Sequence, residues 1–116
     1  MAATPKFVRW QGVIKMLVLK FGGASVETPE SFLRIADIIV SHAKDCQNIA
    51  VVVSAMKNAT DRLFDLAYAV NPNPPCRELD MLVSTGERVS IALLAMALSA
   101  KGIEAVSFTG SQSGII

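Results

Sequence analysis

Three short runs along the chain are almost continuously apolar: residues 16–20 (MLVLK), 49–54 (IAVVVS) and 105–108 (AVSF). Such runs lack the in-out alternation of a half-exposed strand, so they predict strands covered on both faces, as in a parallel sheet. Between them, apolar positions recur at helical spacing. Thr28 reads as an N-cap with Pro29 at the first helical position, and Phe32, Ile35, Ala36, Ile39, Val40 and Ala43 then share one face. That helix should end near Lys44 or Asp45. A second helix is predicted to start around Thr60-Asp61, where a side-chain oxygen can cap free amides, and to carry Leu63, Leu66, Ala67 and Val70 before NPNPP (71–75) stops it. Residues 77–84 resume as helix, TGE (85–87) should interrupt it, and residues 87–101 form a strongly apolar helix closed by Gly102 at C′.

The order β-α-β-α-α-β, with right-handed crossovers, gives an open α/β layered sheet. Met16 stands directly before the first run, so residues 1–15 (MAATPKFVRWQGVIK) are expected to be an extension outside the fold. This segment has Lys6, Arg9 and Lys15 and no acid, but no h-region of a secretory signal; a transit peptide stays open as an alternative, although the segment is serine-poor and weakly patterned. At the other end the chain reads TGSQSGII, the exposed start of a new element, which predicts the N-terminal part of something longer.

Composition narrows the function classes. With 116 residues and 52% apolar content the chain can bury a core of its own. A net charge of +1 without like-charge runs gives no sign of a nucleic-acid or membrane-surface partner. The longest apolar stretch, 91–98, is far shorter than the roughly 20 residues that cross a bilayer, and reads as core helix. Cys46 and Cys76 lack the spacing of a zinc or redox site and read as reduced thiols, which fits a cytoplasmic location. His42, alone, reads as a surface helix residue, and no metal ligand set is expected.

In sheets of this kind ligands bind at the carboxyl ends of the strands, which here means three loops. KFGGASV (20–26) puts a lysine and two glycines at the first strand end. Gly22 and Gly23 would allow positive φ and close backbone approach, the following helix would point its positive end at the same spot, and Lys20 adds a full charge. The pattern is neither GxxxxGK nor GxGxxG, and from the heptapeptide alone a plain turn and an anion site are equally open. The second loop, SAMKNATD (54–61), carries Ser54, Lys57, Asn58, Thr60 and Asp61, for which helix capping is the commoner role. In the third, STGERVS (84–90), Glu87 stands near a helix start. The helix dipole favours an acid there without any function, although a carboxylate facing the crevice could equally hold an ammonium group.

KFGGASV, VVVSAMKNATD, NPPCRELDMLVSTGERVSIALLAMAL and SFTGSQSGII, in this order, resemble the N-terminal part of aspartate kinases, within the amino acid kinase family. The likeness covers nearly all of residues 16–116. It implies a three-layer αβα sandwich with a mainly parallel sheet, here incomplete, whose enzymes transfer the γ-phosphoryl of ATP, with Mg²⁺, to the β-carboxylate of L-aspartate. By position, Lys20, Gly22 and Gly23 fall where the family holds the ATP phosphates, with Phe21 and Ser25 in the same loop and Lys20 as the catalytic cation. Thr60 and Glu87 fall where it contacts aspartate, with Ser54 at the base of the second loop. The resemblance also implies homo-oligomers or α₂β₂ assemblies of the full-length protein.

Two departures stand out: Ala24 replaces the usual threonine of KFGGTS, and Lys57-Asn58-Ala59 is bulkier than the glycine and small residues that usually follow SAM. The catalytic aspartate, the adenine contacts, the arginine for the substrate carboxylate and the regulatory ACT domains would lie beyond Ile116. N-acetylglutamate kinase, glutamate 5-kinase and uridylate kinase share the fold but are not expected to show RELDM followed by STGE. Outside this class, the alternative is a truncated, non-catalytic nucleotide-binding module.

Overall fold

The computed structural model describes residues 3–10 and 13–108. Strands β1 (Ala3–Trp10) and β2 (Val13–Phe21) lead into a 3₁₀ turn, Gly23–Ser25, and helix α1 (Pro29–Ala43). Strand β3 (Ile49–Val53) and helices α2 (Ala59–Val70) and α3 (Cys76–Ala100) follow. The sheet order is β1-β2-β3, with β2 central. β2 and β3 run parallel, from Leu17 opposite Ile49 to Phe21 opposite Val53.

The two faces of β2 differ. Leu17, Leu19 and Phe21 are each 0% exposed and form the floor of the core, whereas Met16 and Lys20, pointing the other way by strand alternation, are exposed. Full burial of such side chains stabilises by about 1.5–3 kcal/mol apiece. Over them lie Phe32, Ile35, Ala36 and Ile39 of α1 and Leu94, Ala97 and Leu98 of α3. The described residues thus build the sheet and one helical layer of an α/β fold.

Helix ends follow the expected chemistry at two places. Thr28 caps α1 in a reciprocal box with Ser31: the Ser31 amide donates to Thr28 Oγ1 at 3.3 Å and the Thr28 amide to Ser31 Oγ at 3.2 Å. Gly102, at φ +82°, closes α3 in a Schellman motif, its amide donating to the Ser99 carbonyl and that of Ile103 to the Leu98 carbonyl, both at 3.0 Å.

Four expectations are corrected. Residues 3–10 are not outside the sheet, because Ala3–Trp10 pairs antiparallel with β2, with a register shift between Val8 and Arg9; the alternation KFVRW suits an edge strand. Residues 105–108 form no strand. Four residues make too few ladder bonds to offset their ordering, and Val106 stays 74% exposed. α2 starts at Ala59 behind Asn58 in the left-handed region at φ +68°, so Thr60 lies inside the helix and caps nothing. TGE does not interrupt α3, which is unbroken over 25 residues. Ser84 and Thr85 donate back to the Met81 and Leu82 carbonyls at 2.8 and 2.7 Å, which keeps their hydroxyls inside the helix pattern.

By length and mean hydropathy (1.5) α3 could cross a bilayer, but Gly86, Ser90, Leu94, Ala97 and Leu98 are buried within this fold. TGSQSGII (109–116), which the sequence suggested as the start of a new element, lies outside the described residues.

Candidate functional site

The site is built where β2 and β3 end side by side. Phe21 is buried and anchors the first loop, while Lys20 presents an exposed side chain without an ion-pair partner among the described residues. Gly22 is extended (φ −81°, ψ 174°), and the Ser25 and Val26 amides donate to the Gly22 and Gly23 carbonyls at 3.0 and 3.1 Å. The expected positive φ is therefore absent from both glycines. Their distinction is space: a Cβ on Gly22 would meet nothing within 4 Å, and one on Gly23 would touch only the Ala55 carbonyl oxygen, at 3.5 Å.

The second loop is stitched to the first. The Ser54 amide donates to the Phe21 carbonyl at 3.1 Å and the Lys57 amide to the Val26 carbonyl at 3.0 Å. Above these backbone bonds, Lys57 Nζ lies 3.2 Å from Glu27 Oε1. Thr60 follows, half-buried in the first turn of α2.

The third segment reaches the same point through the glycine of TGE. A Cβ on Gly86 would stand 3.0 Å from Ala55 Cβ and 3.6 Å from Leu63 Cδ1, so α3 crosses the second loop at a distance that no larger residue allows without displacement. Ala55 is thereby the pin of the arrangement, touched by Gly23's loop on one side and by α3 on the other. The sequence reading missed it, because an alanine carries no chemical signal, and took Gly86 for a helix break.

Glu87, which follows Gly86, is exposed and sits in mid-helix, not near a helix start as expected. It opens, with Ser84 and Arg88, on a groove of about 1020 Å³ between β3, α3 and residues 103–108. Lys20 and Thr60 do not line that groove. The structure thus brings Lys20, Phe21, Gly22, Gly23, Ser25 and Ser54 to one strand end, with Thr60 one turn beyond, and sets Glu87 on the adjoining groove. A smaller cavity of about 310 Å³ lies along the first loop, lined by Ala24, Ser25, Glu27, Thr28, Ser31 and Arg34. Among the described residues no cluster of three or more His, Cys, Asp or Glu is placed to hold a metal ion.

Two strand-end loops and the middle of α3 thus meet at one small residue, at the carboxyl edge of a parallel pair. The sequence model of the Amino acid kinase family matches residues 15–115. The chain belongs to the amino acid kinase family.

Its relatives in this family agree. A protein named Aspartokinase from Corynebacterium efficiens is 52% identical over 101 residues, covering 87% of this chain and 24% of that protein. One of the same name from a Bacillus species is 51% identical over 100 residues, covering 86% and 24%. The crystal structure of aspartate kinase from Synechocystis superposes with a TM-score of 0.76 at 51% identity, over 80% of this chain and 16% of that one. The chain thus spans about a quarter of the length of the curated relatives it matches. The family match begins at residue 15, so β1 precedes the part shared with the family.

Proposed function

We propose that this chain is the N-terminal part of an aspartate kinase, which transfers the γ-phosphoryl group of ATP to the β-carboxylate of L-aspartate and yields 4-phospho-L-aspartate. This reaction opens lysine, threonine and methionine biosynthesis. The observation that carries the reading is the convergence of KFGG, SAM and STGE on Ala55, in a chain about half identical to proteins named aspartokinase.

Phosphoryl transfer asks a protein mainly to align two anions and to neutralise the charge between them. The open space over Gly22 and Lys20, which has no ion-pair partner among the described residues, fit the phosphates of ATP: Lys20 offers a full charge, and the amides of Gly23 and Ala24 offer dipoles. Phe21 fixes the loop from below, and Ser25 adds a hydroxyl. Mg²⁺, when bound, would screen the charge on the phosphate oxygens. Glu87 is assigned to the α-ammonium of aspartate and Thr60 to a substrate carboxylate, with Ser54 at the base of the second loop.

Lys20 does not line the groove on which Glu87 opens, which supports the expectation that this stretch alone has no kinase activity. The proposed setting is cytoplasmic, with the full-length protein a homo-oligomer or an α₂β₂ assembly. The test is a coupled ADP-release assay on the full-length protein with a substrate panel. Aspartate-dependent turnover is expected, and Glu87→Gln should abolish aspartate binding while ATP binding persists. Turnover with N-acetylglutamate or glutamate instead, or equal loss of both ligands, would overturn the assignment.

A further inference from the structure

Lys57 stands where the resemblance leads one to expect a glycine, and its partner is an acid. Glu27 lines the 310 Å³ cavity together with Ala24 and Ser25 of the first loop, which sets an acid directly after the loop assigned to phosphate. A carboxylate there opposes a polyanion unless its charge is cancelled. The Lys57 ammonium, 3.2 Å away, is its ion-pair partner among the described residues, and the Lys57 amide is fastened independently to the Val26 carbonyl at 3.0 Å. Arg34 also lines the cavity, but its guanidinium is directed to Ser31 Oγ at 3.4 Å.

We propose that Lys57 is a positioning residue of the phosphate loop, cancelling Glu27 and joining the first loop to the second. The inference rests on the reading of residues 20–25 as the nucleotide-phosphate site. Both side chains are about half exposed, so the ion pair holds the fold together only weakly. Its consequence is electrostatic. An uncompensated charge within a Debye length of the phosphates changes affinity roughly threefold to tenfold at low salt.

The pair makes a prediction of opposite signs. In the full-length protein, with the Kd for ATP measured by titration calorimetry in excess Mg²⁺, Lys57→Met should weaken binding by roughly threefold to tenfold. Glu27→Gln should tighten it, because it leaves the lysine uncancelled beside the phosphates. The double variant should return near wild type, and all differences should shrink in 0.5 M salt, where the Debye length falls to roughly 4 Å from about 30 Å at 0.01 M. A merely structural brace predicts instead that both single variants weaken binding alike. That result, or no change in either single variant, would overturn the inference while leaving the phosphate-loop reading intact. A wild-type protein that binds no ATP would overturn that reading and the inference with it.

Discussion

Gly86 gives the sharpest test of how the site is assembled. Replacing a mid-helix glycine by alanine ordinarily stabilises a helix by about 1 kcal/mol, since alanine loses less backbone freedom on folding. Here the new Cβ would lie 3.0 Å from Ala55 Cβ, roughly 0.5–1 Å inside the separation at which two carbons attract. Neither atom can swing away, because each is the first atom of its side chain, so α3 or the second loop must move. Overpacking of this kind costs about 1–3 kcal/mol, which cancels or exceeds the propensity gain.

The direction of the movement gives the prediction its functional edge. Ala55 is flanked by the amide of Ser54, bonded to Phe21, and its carbonyl faces Gly23, so a displaced second loop disturbs the first. Gly86→Ala should therefore lower or leave unchanged the urea-unfolding free energy and raise KM for ATP, although Gly86 touches no proposed ligand. Ala55→Gly combined with Gly86→Ala should recover much of both, because it returns the space that the new methyl requires. A Gly86→Ala protein that gains the full 1 kcal/mol with KM unchanged would refute the close crossing.

Two further substitutions test the packing away from the ligands. Ser90 Oγ is fully buried on α3 without a hydrogen-bond partner among the described residues, so Ser90→Ala should raise stability by about 1 kcal/mol in the same urea titration; destabilisation would mean that the hydroxyl is satisfied. Thr28→Ala removes one half of the capping box of α1 and should cost about 1 kcal/mol, with increased amide exchange confined to the first turn of α1.

The elements most legible in the sequence were those whose local chemistry and tertiary role agree. Thr28-Pro29 and Gly102 mark helix ends by their own backbone preferences, and each is used as such. The continuous apolar runs at 16–20 and 49–54 became strands, although only one face of β2 is sealed. Expectations failed where a residue is chosen for a distant neighbour. Gly86 and Asn58 look like a breaker and a cap, whereas the first admits Ala55 and the second turns the chain at positive φ without any side-chain cap bond. Residues 3–10 and 105–108 failed for a related reason, since pairing is decided by which edge is available. Alternation in KFVRW found β2, and AVSF found no partner.

The same distinction bears on the site. Lys20, Gly22 and Glu87 could be singled out because charge and missing side chains are visible in the sequence, but nothing in the sequence said what holds them in register. The structure supplies that link through small and backbone groups: two amide bonds between loops, one alanine, and one glycine in mid-helix. Such contacts transmit displacement without contributing chemistry. Variation at Ala55 or Gly86 should therefore alter ligand affinity through geometry, whereas variation at Glu27 or Lys57 should alter it through charge and fade with salt. Measuring ATP affinity for both classes at two ionic strengths separates the two routes: a salt-sensitive Gly86→Ala defect would show that the pin acts through the ion pair above it and not through the backbone bonds beneath.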